Sequence, residues 1–226
     1  MQITWFGHSN FRIDFDGKSL FIDPFFEGNP SAPIGYDKAG RADLVLVTHD
    51  HGDHVGQAVE LAREGGAPLV GVFDTVQKLA GLGLPAEFGV GMNIGGTVEQ
   101  LGIRIKMVQA MHSSASGAAT GYILTFPSGF TLYHAGDTGL FQSMALFAEF
   151  HDIDLALLPV GGWFTMDPEQ AAYACKLLRC KRTIPMHWGT FPILEQNTDG
   201  YAAALQKHAP GTELLVLEPG KPTEID

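Results

Sequence analysis

The chain has 226 residues, of which 45% are hydrophobic and 17% are charged. That length and apolar fraction are sufficient for a substantial core and exclude a disordered chain. Lys and Arg number 14 against 25 Asp and Glu, for a net charge of −11, and this balance disfavours general nucleic-acid binding, which usually needs a basic face.

The first part of the chain reads as short strands followed by alternating strands and helices. Asp16-Gly17 signals a hairpin turn, because both residues tolerate positive φ. A Gly/Pro-rich loop from Gly28 to Gly40 carries no secondary-structure signal, and Gly65-Gly66 is expected to end a helix. The predicted elements are strands at 3–6, 11–15, 20–22 and 43–48, a helix at 55–64, a strand at 69–72 and a helix at 75–82.

The second part of the chain repeats this order, because it begins with strands and then alternates between strands and helices. Asp167-Pro168-Glu169-Gln170 is a clear helix start, since Asp can cap, Pro suits the first turn and Gln can bond back to the cap. The predicted elements are strands over 98–109, at 122–126 and at 131–134, a helix at 139–150, a strand at 155–160, a helix at 167–180, a strand at 183–186, a helix at 199–208 and a strand at 213–217.

The similarity of the two halves predicts an α/β (α+β) architecture of two packed sheets flanked by helices. A single doubly wound sheet is the alternative, and the early hairpins argue against it. No charge block or low-complexity linker divides the chain, so residues 1–226 are expected to form one domain.

Cysteine content and hydropathy bear on the cellular compartment. Cys175 and Cys180 are too few for a disulfide framework and are expected to be reduced and partly buried in one helix. Met1 to Trp5 show no basic region followed by an apolar run, and no apolar stretch reaches the roughly 20 residues that a membrane helix needs. A cytoplasmic protein without a membrane segment is expected.

The segment His49 to His54 reads HDHGDH and directly follows a predicted buried strand. His49 and His51 are two residues apart, so an extended backbone sends both side chains to one side. The intervening glycine lets the chain turn before Asp53 and His54. This spacing can serve two cations, one held by the first two histidines and the second by Asp53 and His54. Imidazole with some carboxylate suits Zn, Mn or Fe.

Three further metal-binding side chains, His112, Asp137 and His187, each follow a predicted strand. Sites of α/β proteins are assembled where strands end. These residues would supply a third ligand for each metal and a carboxylate between them. His134 is expected in the core or behind a ligand, whereas His151 and His208 are expected at the surface.

These motifs resemble the metallo-β-lactamase superfamily, through HxHxDH at His49 to His54, the later His112, Asp137 in a GDT sequence and the last histidine, His187. Other segments resemble a small uncharacterised metal-dependent hydrolase family that is similar to the ascorbate-6-phosphate lactonases. They are GHS at 7–9, GNP at 28–30, MNIGGT at 92–97, AGDTGLF at 135–141, FTM at 164–166 and MHWGTFP at 186–192. Together the segments cover essentially the whole chain.

The resemblance implies a four-layer αββα sandwich with two mixed sheets and a two-metal site. The implied ligands are His49, His51 and His112 for one ion, Asp53, His54 and His187 for the other, and Asp137 for both. The ions would be Zn or Mn, with Fe a further candidate. The ligand positions hold no cysteine, unlike some true β-lactamases, and His51 is not Glu, unlike the flavodiiron branch.

The expected activity is hydrolysis of a small-molecule lactone, ester, amide or thioester by a hydroxide shared between two ions about 3.5–4 Å apart. Asp53 is the expected proton carrier to the leaving group, with Asp137 between the ions. A phosphodiesterase or nuclease of the same fold is the alternative, and the net charge of −11 argues against it. A purely structural metal protein is a third interpretation, disfavoured because structural zinc sites are usually mononuclear.

Several residues around this motif have open roles. His8, after the first strand, either orients substrate or supports a ligand, or it is bonded only to local backbone. Trp163, Phe164 and Trp188 either line an apolar pocket or belong to the core. The Gly28 to Gly40 loop is a candidate lid.

Substrate charge and assembly are also left open by the sequence. It does not show whether Lys38, Arg41 or Lys181 face the site, which a phosphorylated substrate would require. A small molecule is the expected partner and nucleic acid is not, and by analogy with the family a homo-oligomer is one of the assemblies left open.

Overall fold

Two seven-stranded mixed sheets with flanking helices form the framework of this computed structural model, which describes residues 1–225. The prediction of two mixed sheets is therefore confirmed. Internal contacts divide the chain into two units with one sheet each. The first unit comprises Met1–Ile94, Ser113–Ala119 and the residues from Leu217, and the second comprises Gly95–His112 and Thr120–Val216. The assignment of residues 1–226 to one domain stays a prediction.

The secondary-structure elements follow the predicted order. The strands are β1 Gln2–Trp5, β2 Phe11–Phe15, β3 Lys18–Ile22, β4 Leu44–Leu46, β5 Leu69–Val72, β6 Gly89–Met92, β7 Thr97–Gln100, β8 Ile103–Gln109, β9 Thr120–Thr125, β10 Thr131–His134, β11 Leu155–Pro159, β12 Arg182–Met186, β13 Glu213–Leu214 and β14 Thr223–Glu224. The helices are α1 Gly52–Val55, α2 Ala58–Gly65, α3 Phe73–Gly81, α4 Met144–Phe150, α5 Pro168–Leu178 and α6 Asp199–His208. Short 3-10 helices cover Tyr36–Lys38 and Ala86–Phe88.

Both sheets are built on the same plan. In the first, ordered β14-β1-β2-β3-β4-β5-β6, the pairs up to β3 are antiparallel and the rest are parallel. In the second, ordered β13-β12-β11-β10-β9-β8-β7, the pairs from β7 to β10 are antiparallel and the rest are parallel. The carboxyl ends of β1, β3 and β4 therefore meet at one edge of the first sheet. Those of β8, β10, β11 and β12 meet at one edge of the second.

Apolar faces of helices and strands build a core within each unit. In the first, Leu61 of α2 is buried in one cluster with Val45 of β4 and Leu69 of β5. In the second, the hydroxyl of buried Tyr201 on α6 lies 2.8 Å from Thr183 Oγ1 of β12. Burial of this kind contributes about 25 cal/mol per Å² of apolar surface and fixes the strand ends on which side chains are presented.

Two local signals in the sequence are confirmed. The backbone N–H of Gln170 donates to Asp167 Oδ1 at 2.8 Å, which caps α5. Asp16 and Gly17 take φ of 47° and 73° in the turn between β2 and β3. In addition, no helix within residues 1–225 combines the length and apolar character that would let it cross a membrane.

Three helix boundaries differ from prediction. The helix expected at 55–64 is divided into α1 and α2, because Gly56 takes a φ of 40° and a Cβ there would collide with the carbonyl oxygen of Pro24. The helix expected from 139 begins at Met144, since the Gly139 N–H donates to the Met111 carbonyl instead. α5 ends at Leu178 before Arg179, whose φ is 49°.

Two further expectations are corrected. Cys180 lies beyond the end of α5, not in the same helix as Cys175, and both thiols are buried. The strands β6 and β14 were not predicted. The sequence of β6, GVGM, is half glycine and lacks an alternating pattern, and β14 has only two residues.

Candidate metal centre

Five of the predicted site residues lie at the carboxyl edge of the first sheet. They are His8, His49, His51, Asp53 and His54. Residues 7–8 follow β1, and residues 47–51 lead from β4 into the short helix α1, which carries the last two. The carboxyl ends of β1, β3 and β4 meet at this edge, so the first unit brings all five residues together.

His49 and His51 face one another. His49 Nε2 lies 2.9 Å from His51 Nδ1, and the ring centroids of His49 and His54 are 4.1 Å apart. His49 Nδ1 lies 3.1 Å from the hydroxyl oxygen of Thr48. With Nδ1 contacting Thr48, the other ring nitrogen, Nε2, is the one that faces His51. Two histidines that bind one cation need their ligand nitrogens close together in this way.

His8 is fully buried and lies against Asp53. Its Nε2 is 3.1 Å from Asp53 Oδ2, and the Asp53 side chain is about one-third exposed. Trp5 Nε1 donates to the His8 carbonyl at 2.8 Å and holds the turn in which His8 takes a φ of 55°. The ligand atoms of His8, Asp53 and His54 all lie within 4.8 Å of one another. His8 therefore contacts the predicted ligands and is not bonded only to local backbone.

Asp23 is a site residue that the sequence analysis missed. It follows β3 with a φ of 47°, and its buried carboxylate accepts from the Thr48 N–H at 2.8 Å and the Thr48 hydroxyl at 2.6 Å. Its Oδ2 also lies 2.7 Å from Nδ1 of His54. A carboxylate at one ring nitrogen fixes the tautomer and directs the other nitrogen to a metal. The signal was available, because Asp23 directly follows a predicted strand.

Asp50, inside the HDHGDH motif, is turned away from the histidines. Its carboxylate accepts from Lys78 Nζ at 2.7 Å, from the hydroxyls of Ser114 and Ser116, and from the N–H of Ala115. Burial opposes its ionisation, but these hydrogen bonds outweigh burial and hold the pKa of Asp50 well below its ordinary value. Asp50 thus anchors residues 113–119 to the motif.

The second unit brings together the other three predicted ligands. Asp137 Oδ2 lies 3.1 Å from His187 Nε2 and 3.7 Å from His112 Nε2. The Asp137 and His187 side chains are almost fully buried. Because a carboxylate flanked by two imidazoles can bind a cation on each side, this arrangement suits a bridging role for Asp137.

Loop contacts fix these three ligands. The hydroxyl of Thr138, next to Asp137, accepts from the Met111 N–H at 2.9 Å and donates to the Gly139 carbonyl at 2.7 Å. Gly161 packs so closely on His187 that a Cβ at position 161 would collide with the His187 carbonyl oxygen. The ligand loops are therefore held to one another within the unit.

The donor set fits a divalent transition metal. It consists of imidazole nitrogens and carboxylate oxygens, with Asp23 orienting one of the histidines, and such ligands suit Zn, Mn or Fe. Neither thiol belongs to it, since Cys175 and Cys180 are buried at the far end of α5. This fit between donor atoms and metal is judged from the contacts within each unit separately.

Basic side chains mark the opposite ends of the strands. Arg41 Nη2 donates to the Gly65 carbonyl at 2.8 Å, before β4 and β5 begin. Lys181 Nζ pairs with Asp154 at 2.6 Å, before β12 and β11 begin. Lys38 is exposed in a 3-10 helix. Of these three residues, Arg41 and Lys181 thus lie at the edge opposite the ligands.

The remaining histidines and aromatic residues have separate surroundings. His134 is buried and accepts from the Gly136 N–H at 3.1 Å, and His208 lies 2.7 Å from Glu169. Burial, followed by repulsion from two basic residues of β8, lowers the pKa of His151. Trp188 Nε1 donates to the Pro185 carbonyl at 3.2 Å.

Known proteins provide an independent comparison. A family model described as "Beta-lactamase superfamily domain" matches residues 18–188. A "UPF0173 metal-dependent hydrolase" from Nitratidesulfovibrio vulgaris is 56% identical over 228 aligned residues, covering 100% of this chain and 95% of the relative. The structure of Igni18, a metallo hydrolase from Ignicoccus hospitalis, matches with a TM-score of 0.89 and 37% identity over 100% of this chain and 99% of its own.

A more distant structure supports the fold alone. YhfI from Bacillus subtilis, a metallo-beta-lactamase fold protein, matches with a TM-score of 0.78 and 16% identity over 99% of each chain.

Proposed function

Because the chain belongs to the beta-lactamase superfamily and is a metal-dependent hydrolase, we propose that it hydrolyses an uncharged small molecule. The bond cleaved would be that of a lactone or of another carboxylic ester, amide or thioester. The native substrate would be a metabolite small enough to reach ligands that lie mostly buried at the ends of strands.

The observation that carries the proposal is the charge of the loops at the carboxyl edge of the second sheet, three of which carry predicted ligands. Within residues 95–216 as described, the segments that follow β8, β10, β11 and β12 up to the next element contain no Lys or Arg. In the first unit Lys78 approaches the motif, and its ammonium is already paired with Asp50. A phosphodiester carries a charge that such sites normally meet with basic side chains. A neutral carbonyl substrate needs none.

The metal ligands follow the assignment implied by the family. One ion would be held by His49, His51 and His112, the other by Asp53, His54 and His187, with Asp137 serving both. When bound, two divalent ions supply a nucleophilic water at neutral pH and polarise the scissile carbonyl. Zn and Mn both suit these ligands, and metal availability would decide between them.

The chain's own residues would handle the proton. Asp53 is the most exposed of the carboxylates at this edge, and His8 holds its Oδ2 at 3.1 Å. Asp53 would therefore carry a proton to the leaving group, while His8 keeps the carboxylate in one orientation. A fully buried partner of this kind contributes positioning, not direct contact with substrate.

The proposal is tested by hydrolysis of a γ-lactone and of a bis-aryl phosphodiester by protein loaded with Zn or Mn. We expect EDTA-reversible turnover of the lactone in preference to the diester. Asp137→Ala should lower kcat/KM by more than about 100-fold, since even residues that only orient ligands are worth about 10–100-fold. Preference for the diester would instead identify a phosphodiesterase, and full activity in Asp137→Ala would contradict the ligand assignment.

We also propose a cytoplasmic location and a small-molecule partner. Two reduced, buried cysteines are compatible with a reducing compartment. Assembly into a homo-oligomer stays a prediction made by analogy with the family.

A further inference from the structure

We infer that four exposed apolar side chains beside the second unit's ligands form a subsite for an apolar group of the substrate. This inference rests on the proposed hydrolase function and names the class of substrate within it. The side chains, here called the apolar rim, are Met111, Trp163, Phe164 and Ile193, with exposed fractions of 60%, 75%, 54% and 49%.

Met111 and Ile193 of the apolar rim lie on loops that carry predicted ligands, whereas Trp163 and Phe164 lie on the loop that follows β11. Met111 precedes His112, and its backbone N–H and carbonyl bond to Thr138 and Gly139 in the loop of Asp137. Ile193 is in the loop that follows His187. Met111 and Ile193 therefore lie within loops that carry a predicted ligand.

The Trp163 loop is joined to both neighbouring loops. The Met166 N–H donates to the Thr138 carbonyl at 2.9 Å, and the Glu195 N–H donates to the Gly161 carbonyl at 3.0 Å. All these loops follow strands whose carboxyl ends meet at one edge of the sheet. The rim is thus continuous with the second unit's part of the metal centre.

The backbone at Trp163 is held in an uncommon conformation. Its φ is 46°, a value that bulky residues rarely adopt. The Gly162 N–H donates to the Met166 carbonyl and the Thr165 N–H donates to the Gly162 carbonyl, both at 3.0 Å. These bonds fix a tight turn that holds the indole out in solvent. Exposed indole on a rigid turn is typical of a binding surface, because little conformational freedom is lost on contact.

The charge and the size of the apolar rim indicate which kind of group it binds. The four loops contain no Lys or Arg among the described residues, and Glu195 lies in the same loop as Ile193. An anionic ligand is therefore disfavoured, and a neutral apolar group is favoured. A second copy of the chain is disfavoured by extent, since stable protein interfaces involve about 20–30 residues a side. An alkyl or aryl substituent of the substrate is of a size that four side chains can contact.

The test compares p-nitrophenyl acetate with p-nitrophenyl octanoate on the Zn-loaded protein. In the wild type, kcat/KM should be at least about tenfold higher for octanoate, the lower end of the value of one methylene group in an apolar pocket. Trp163→Ala should lower octanoate hydrolysis at least about tenfold more than acetate hydrolysis, which removes the preference. Phe150→Ala is the matched control, because Phe150 is 79% exposed and lies at the end of α4, remote from the rim in sequence.

A binding measurement separates the subsite from turnover. Calorimetric titration of metal-free protein with octanamide should show an affinity at least about tenfold weaker in Trp163→Ala than in the wild type, with Phe150→Ala unchanged. Phe164→Ala serves as a second rim variant, and equal melting temperatures establish that each variant is folded.

The outcomes distinguish this inference from the proposed function. Ester hydrolysis without chain-length preference, or an equal loss on acetate and octanoate in Trp163→Ala, overturns the subsite and leaves the hydrolase proposal standing. Absence of hydrolysis of both esters and of the γ-lactone, with octanamide binding intact, overturns the proposed function alone. A wild-type oligomer that dissociates in Trp163→Ala would identify the rim as a contact between copies and would also overturn the inference.

Discussion

At the scale of single residues, a buried carboxylate sets the direction of one histidine that is proposed as a metal ligand. Asp23 accepts from Thr48 and contacts His54 Nδ1, so in the proposed assignment His54 would bind a metal through Nε2. Asp53 is paired with His8 in the same unit. Loss of a partner that orients a metal ligand typically lowers metal affinity by about 10–100-fold.

Asp23→Ala should therefore weaken metal affinity by about 10–100-fold. Competition with a chromophoric chelator measures this directly. Asp43→Ala is the control, because Asp43 also accepts a backbone N–H at 3.0 Å, from Ser19, but at the opposite end of the strands. Asp23→Asn keeps the side-chain volume and should give an intermediate loss. Equal affinities in the Asp23 and Asp43 variants would show that Asp23 has no role in orienting His54.

At the residue level, the sequence identifies candidate ligands where metal-binding chemistry and strand ends coincide. His112, Asp137 and His187 are far apart in sequence, yet each follows a strand, and the structure brings all three together in the second unit. Asp23 satisfies the same rule and was overlooked because it is not part of a histidine motif. The partners of Asp50 were not predictable, since they come from residues 78 and 114–116, whose approach depends on tertiary packing.

At the scale of elements, the segment 113–119 is held within the first unit chiefly by the carboxylate of Asp50, together with the hydroxyl of Thr75, which donates to the Ser116 carbonyl at 2.9 Å. Asp50 accepts from Lys78 and from three donors in residues 114–116. The segment consists of three alanines, three serines and one glycine, and it has no regular secondary structure of its own. Its conformation therefore depends on these bonds.

Asp50→Asn should destabilise the metal-free protein by about 1.5–3 kcal/mol, the range for hydrogen bonds to charged groups. Urea unfolding followed by circular dichroism measures the change. Lys78→Gln removes only one of the donors, and Lys78 is 43% exposed, so its effect should be smaller. Hydrogen exchange in residues 113–119 should rise in Asp50→Asn before the rest of the unit is affected. A larger loss in Lys78→Gln than in Asp50→Asn would contradict this role.

Elements were predictable where a local signal exists. The start of α5 follows from Asp167 and Pro168, and the turn at Asp16-Gly17 follows from their tolerance of positive φ. The break between α1 and α2 was not predictable from periodicity, because it depends on the close approach of Gly56 to Pro24. The late start of α4 likewise depends on a bond from Gly139 to Met111.

At the scale of the whole molecule, two sheets repeat one plan of antiparallel strands followed by parallel strands. Each sheet collects side chains at the edge where its carboxyl ends converge, and the first supplies most of the histidines while the second supplies Asp137. The repeated order of predicted strands and helices was enough to predict two sheets flanked by helices, and the family resemblance implied that both are mixed. Strand order, register and the short edge strands β6 and β14 were not predictable, since they depend on pairing between distant segments.

The central claim is that these ligands hold two ions in the assignment proposed above. Metal content measured by mass spectrometry after Zn loading tests it most directly, in the wild type and in the variants His49→Ala, His54→Ala, His112→Ala and His187→Ala. We predict two ions per wild-type chain and about one in each folded variant, with His54→Ala and His187→Ala sparing the same ion. A single ion in the wild type, or two ions retained in His187→Ala, would contradict the account.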